Sequence, residues 1–150
     1  MKMLLIFFTI LLVQGPDYKG TILSVTDGDT FVLQTTEGNL KIRLNGIDAP
    51  EKDQPYGKES KVFLEQYLYK ECMLKTYGVD RYGRTLGTLY VKGQNINLLS
   101  VQEGYSWHYK KYSKDEELAQ AEEEARKGKR GLWKEGDAFA PWDWRKNKLQ

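Results

Sequence analysis

The feature that most constrains the fold is a run of three short strand-like segments joined by tight turns between Tyr18 and Leu44. Tyr18 to Thr26 carries Leu23 and Val25 among β-branched residues, and Asp27-Gly28 then turns the chain. Thr30 to Thr35 is a second strand, and Glu37-Gly38-Asn39 a second turn. Leu40-Lys41-Ile42-Arg43-Leu44 alternates apolar and basic residues with a period of two, the pattern of a half-buried strand. Together these segments predict a β-meander.

Beyond Leu44 the chain changes character. Asn45 to Tyr56 holds Gly46, Pro50 and Pro55 and reads as a loop. Gly57 to about Lys70 reads as a helix, with Phe63, Leu64, Tyr67 and Leu68 on one stripe. Cys72 to Tyr77 and Thr85 to Val91 are the fourth and fifth strands, separated by a turn at Asp80-Arg81-Tyr82-Gly83. A short helix is expected from Asn97 to Glu103, stopped by Gly104. Ser113-x-x-Glu116 has the form of a capping box opening a third helix, whose stripe is Leu118, Ala121 and Ala125 and whose end is Gly128. Gly131-Leu132-Trp133 should pack back on the body. This order predicts an α+β fold, mainly β: a five-stranded Greek-key barrel of the OB type with three helices. The domain is expected over 16–135, with 136–150, including Pro141-Trp142-Asp143-Trp144, as a Trp-rich tail.

The first 15 residues read as an address. Lys2 precedes eleven uncharged residues, Met3 to Val13. A membrane-spanning helix needs roughly 20 apolar residues. The run fits the hydrophobic part of a secretory signal peptide, with an uncleaved N-terminal anchor as the other reading. The expectation is an exported protein, secreted or associated with the cell envelope.

Composition narrows the chemistry. With 150 residues the chain has room for one ordinary domain. One cysteine, Cys72, excludes an intramolecular disulfide, and as a lone thiol it reads as a small buried hydrophobe. One histidine, His108, excludes a multi-histidine zinc site. No phosphate-binding G-x-x-x-x-G-K-[ST] loop and no G-x-S-x-G elbow is present. Catalysis by this chain must therefore rest on Asp, Glu, Arg, Lys and Tyr.

Four pieces carry such groups. Asp27-Gly28-Asp29-Thr30 is a hairpin turn by its composition, but it also sets Asp29 at a barrel rim, where a carboxylate can hold a hard cation. Arg43 lies on the polar side of the third strand. Asn45-Gly46-Ile47-Asp48-Ala49-Pro50-Glu51 presents two carboxylates on a Pro-stiffened loop, readable as acidic helix entry or as a metal ligand plus a free base. Arg81-Tyr82-Gly83-Arg84 is a charged hairpin tip or a pair of guanidinium groups for phosphate.

Taken together and in this order, the motifs D-G-D-T at 27–30, R-L-N-G-I-D-A-P-E at 43–51 and R-Y-G-R at 81–84 resemble the thermonuclease (staphylococcal nuclease-like) family. The resemblance runs from about Tyr18 to Trp133, and the tail at 141–145 is similar to that of exported bacterial members. It implies a Ca²⁺-dependent endonuclease of DNA and RNA that leaves a 3′-phosphate and a free 5′-hydroxyl. It places the metal carboxylates at Asp29 and Asp48, with Ala49 supplying a backbone carbonyl where the family often has Thr. The catalytic general base falls on Glu51, and the two phosphate-binding arginines on Arg43 and Arg84. The contrasting expectation is a non-catalytic nucleic-acid-binding domain of the same fold, which would not need this full set.

The net charge of +2 is too small to reveal a nucleic-acid partner, but local charge is not. Residues 75–92 carry a local +3, and 107–114 another +3 from Lys110, Lys111 and Lys114. Trp107, Tyr109 and Tyr112 are interleaved with these lysines. Aromatic faces beside a basic track hold single strands without reading their sequence. Trp107 reads as core, whereas Arg81, Tyr82, Tyr109 and Tyr112 are the substrate-binding candidates. Single-stranded DNA and RNA are the expected partners, and a monomer the expected state.

Overall fold

The computed structural model describes residues 15–136 and 138–150. The hydrophobic run at the start, read as a signal peptide or anchor, lies outside the described residues. Among the described residues no helix is long and apolar enough to cross a membrane.

The meander forms as its alternation dictates. Strands β1 (Asp17–Asp27), β2 (Thr30–Thr35) and β3 (Gly38–Leu44) pair antiparallel in sequence. β4 (Ile47–Asp48) is a two-residue strand in the next loop. Helix α1 (Gly57–Glu65) crosses to β5 (Glu71–Val79), which pairs antiparallel with β1 and with β6 (Thr85–Val91). β6 then runs parallel to β3, joining Ile42–Leu44 to Thr85–Gly87, and this seam closes a five-stranded barrel. β7 (Gln94–Asn95) extends the edge of β6, and α2 (Ile96–Gln102) leads to β8 (Trp107–His108), which pairs with β4. Helix α3 (Glu116–Lys127), a 3₁₀ turn at Gly131–Trp133 and helix α4 (Pro141–Lys148) complete the chain. The expected OB-type barrel is present, with one helix more than the sequence suggested.

The barrel core is the inward set of the alternating strands. Ile22, Phe31, Leu33, Ile42, Leu44, Leu74 and Leu89 are fully buried, joined by Leu64 from α1 and by Ile96 and Val101 from α2. Burying a side chain of this kind stabilises the fold by about 1.5–3 kcal/mol. Cys72 is buried too, and burial pushes its thiol up to about 11, in keeping with an inert core residue. A second cluster, Trp107, Ala125, Trp133 and Ala140, sits outside the barrel. Trp107 is therefore core, as expected.

Three local expectations need correction. Helix α1 stops at Glu65, short of Lys70, because the chain turns through Tyr69 at a φ of 62° and sends that amide to Ile22 O at 2.8 Å. The cap of α3 is Asp115, not Ser113. Asp115 accepts from the amides of Glu117 and Leu118 at 2.9 and 3.2 Å, whereas the Ser113 hydroxyl bonds His108 Nε2 at 3.1 Å. Finally, the Trp-rich segment is not a loose tail. It forms α4, opened by Pro141, with Trp142 packed edge-on to Trp107 and stacked on Tyr109.

Candidate active site

The predicted site residues converge on one end of the barrel. A register shift between Val25 and Asp27 kinks β1 just before the turn that carries Asp29, the usual way a bulge re-aims a side chain. Gly28 makes the turn possible at close quarters. A Cβ there would lie 2.7 Å from Ser60 Cβ on α1 and 2.8 Å from Ala49 Cβ. Arg43 faces Thr30 across the β2–β3 ladder. Its side chain is only 11% exposed, and both terminal nitrogens of its guanidinium are engaged. Nη1 donates to Leu44 O at 2.5 Å and Ile47 O at 2.8 Å, and Nη2 lies 3.0 Å from Asp48 Oδ1 and 3.3 Å from Asp29 Oδ2. Asp29 also accepts from the Thr30 hydroxyl at 3.0 Å and from the Ala49 amide at 2.7 Å.

Glu51 stands at the rim. Its amide donates to Gln54 Oε1 at 3.0 Å, and Gly57 approaches so closely that a Cβ there would lie 2.0 Å from Glu51 O. Only glycine at 57 therefore lets α1 begin against this loop. The Glu51 carboxylate accepts from Arg145 Nη1 at 2.7 Å, and Arg145 Nη2 donates to Asp48 Oδ2 at 2.8 Å. Arg84 reaches the same end from the start of β6. Nε pairs with Asp80 Oδ2 at 2.8 Å, and Nη1 lies 3.5 Å from the Thr30 hydroxyl, next to Asp29. Asp29, Arg43, Asp48, Ala49, Glu51 and Arg84 are thus gathered in one place.

Electrostatically the site carries more acid than base. Burial and the like charge of Asp29 push Asp27 up to about 7. Burial also opposes ionisation of Asp29, but Arg43 and the hydrogen bonds from Asp27, Ala49 and Thr30 outweigh it and hold this carboxyl below its usual range. Burial raises Asp48 to about 6, with Asp29 adding to the rise and Arg145 and Arg43 opposing it. Five carboxyl groups, Asp27, Asp29, Asp48, Glu51 and Asp80, meet three guanidinium groups, Arg43, Arg84 and Arg145. Oxygen donors around surplus negative charge suit a hard divalent cation. Among the described residues no three acidic, His or Cys side chains form a closed metal cage. A cation here would accordingly rest on Asp29 and Asp48, a carbonyl and water, which Ca²⁺ tolerates.

The substrate-binding candidates lie further out. Tyr82 is 67% exposed, with the Arg81 and Arg84 guanidinium groups 4.9 and 5.5 Å from its ring centroid. Tyr112 is equally exposed, under Lys111. Tyr109 is not an open platform. Trp142 lies parallel to it, 5.4 Å away, because α4 docks there. Lys110 reaches the buried Glu122 at 3.5 Å, leaving Lys111 and Lys114 as the outward charges of that track. Sequence reasoning missed two members of the site. Asp27 was absorbed into its turn, and Arg145 sat in a segment read as tail, although the Pro-Trp-x-Trp-Arg motif drew attention to it.

Comparison with known proteins agrees with this geometry. The staphylococcal nuclease homologue family model matches residues 41–135. An uncharacterized endonuclease of Haemophilus influenzae is 42% identical over 148 residues, covering 95% of this chain and 82% of that protein. An uncharacterized endonuclease of Escherichia coli is 40% identical over 134 residues, 88% of each chain. A micrococcal nuclease of Shigella flexneri is 37% identical, covering 87% of this chain and 82% of that protein. With a closed five-stranded barrel, the carboxylate–arginine cluster at its end and these relatives, the chain belongs to the staphylococcal nuclease-like family.

Proposed function

We propose that this nuclease is a Ca²⁺-dependent endonuclease of DNA and RNA that leaves 3′-phosphate ends and prefers single strands. That the chain is a nuclease, a hydrolase of phosphodiester bonds, rests on its family and its endonuclease and micrococcal nuclease relatives. The observation that carries the finer reading is the meeting of Asp29, Asp48 and Glu51 with Arg43 and Arg84 at one end of the barrel.

Asp29, Asp48 and the Ala49 carbonyl would hold the cation, which neutralises phosphate charge and polarises water when bound. Glu51, 34% exposed at the rim, accepts the proton of the attacking water. The water oxygen bonds to phosphorus as the bond to the 5′-oxygen breaks, and the departing oxygen takes up a proton to become the 5′-hydroxyl. Arg84 and, from its fixed place beside Asp29 and Asp48, Arg43 stabilise the charge that builds on the phosphoryl oxygens. Tyr82 and Tyr112 offer stacking faces for bases. The reacting groups are recessed, with Arg43 only 11% exposed and Asp29 and Asp48 buried, so a duplex must open for a strand to reach them. Export, read from the first residues, belongs to the same proposal.

End analysis of digested DNA and RNA in calcium and in chelator tests the chemistry. The expected result is 3′-phosphate ends in calcium and no cleavage in chelator. Cleavage in chelator, or 5′-phosphate ends, would refute the mechanism. Initial rates on heat-denatured and native DNA of one sequence test the strand preference, and equal rates would refute it.

A further inference from the structure

The site contains a group outside the family motifs at 27–30, 43–51 and 81–84. Helix α4 and the segment leading into it are anchored in three places. Trp142 packs on Trp107 and Tyr109, Gln54 Nε2 donates to Phe139 O at 2.5 Å, and Lys148 pairs with Asp53. Two of these anchors grip the loop that carries Glu51, so the helix and the loop are held as one unit. From that helix the Arg145 guanidinium spans two carboxylates at once. Nη1 is 2.7 Å from Glu51 Oε1 and 3.3 Å from Asp48 Oδ1, and Nη2 is 2.8 Å from Asp48 Oδ2. A planar guanidinium suits such bridging, whereas an ammonium offers a single point of charge.

We infer that Arg145 is a positioning residue of the reaction, holding the Glu51 carboxylate in place from a docked C-terminal helix while sharing Asp48 with Arg43. This rests on the nuclease mechanism proposed above. It has two consequences of opposite sign. Glu51 is 34% exposed, and Arg145 is its side-chain ion-pair partner, so removing Arg145 frees a carboxylate whose orientation matters for catalysis. Small misplacements of such groups cost about 10²-fold in rate. At the same time Arg145 is a positive charge on Asp48, so its removal favours a cation there.

The test uses the full chain with Arg145→Ala, Arg145→Lys and Trp142→Ala, each checked for fold by circular dichroism. Calcium binding is measured by calorimetry without nucleic acid, and kcat and KM on a single-stranded oligonucleotide in saturating calcium. Arg145→Ala should bind calcium at least about threefold more tightly and lose about 10²-fold in kcat, with little change in KM. Arg145→Lys should recover part of the kcat. Trp142→Ala keeps the arginine but loosens its helix, so it should show the same split in weaker form.

A purely structural role predicts a lowered melting temperature with kcat and calcium affinity unchanged, and that result would overturn the inference. So would weaker calcium binding in Arg145→Ala, or an equal loss in Arg145→Ala and Arg145→Lys. A wild-type chain that binds calcium and cleaves nothing would overturn the nuclease mechanism and the positioning role together. A wild-type chain that cleaves, beside an Arg145→Ala variant of unchanged kcat, would overturn the positioning role alone.

Discussion

Arg43, on β3, and Arg84, just ahead of β6, flank the β3–β6 seam, yet their surroundings differ. Arg43 is 11% exposed and gives its donors to two carbonyls and two carboxylates, so its position is over-determined. Arg84 is 24% exposed, held by Asp80 on one side and in loose reach of Thr30 on the other. Beyond it, the side chains of Arg81 and Tyr82 bond each other, and the Tyr82 ring, 67% exposed, has the Arg81 and Arg84 guanidinium groups beside it. The contrast separates two jobs. Groups set by the barrel floor have fixed geometry, which transition-state chemistry needs. Groups on the hairpin tip can adapt to a strand of any sequence, which binding needs.

The sharpest way to break this division is at Glu51. Glu51→Gln should keep the fold, since its carbonyl can still accept from Arg145, and lose about 10²–10⁴ in kcat because the proton acceptor is gone. Unchanged turnover would remove Glu51 from the chemistry. Arg84→Ala tests whether this arginine belongs with the floor or the tip. A loss of about 10²–10³ in kcat places it with the floor, whereas a rise in KM at constant kcat places it with the tip. Tyr82→Ala should act only on binding. Losing one stacking face costs about 1–3 kcal/mol, read as a raised KM, and a matching fall in kcat would erase the distinction between the two regions. The smallest effect is expected at Ala49→Thr. The ligand proposed there is the backbone carbonyl, so calcium affinity should change little, and a large gain by calorimetry would show that the site lacks a needed hydroxyl.

How much of this was legible depended on the length of the local signal. β2 and β6 were bounded correctly because alternation and flanking turns both marked them. The motif residues fell together because a barrel rim gathers the ends of β2, β3 and β6, and their order along the chain gives that away. The β4–β8 pair was invisible, since two residues carry no period. The cap of α3 was displaced because Ser113 and Asp115 are both good caps, and tertiary contact with His108 decided which one served. Helix α4 was missed because eight residues without an apolar stripe do not form a stable helix alone. Its stability comes from Trp142 on Trp107 and Tyr109, partners more than thirty residues earlier in the chain. Arg145 was hidden for the same reason.

The β3–β6 seam carries a consequence for the order of folding. The β1–β2–β3 meander and the β5–β6 hairpin close only short turns and can form locally. The seam must instead bring Ile42–Leu44 to Thr85–Gly87 across the loop, α1 and β5, and it is the parallel pairing among the described strands. Arg43 and Arg84 become neighbours only at that moment. An early compact chain with both hairpins intact would therefore carry every side chain of the site and no site. Recovery of turnover during refolding should then track seam closure, reported by protection of the Asn45 amide, which donates to Gly87 O at 2.8 Å, and lag behind the meander side, reported by the Leu44 amide, which donates to Asp29 O at 2.9 Å.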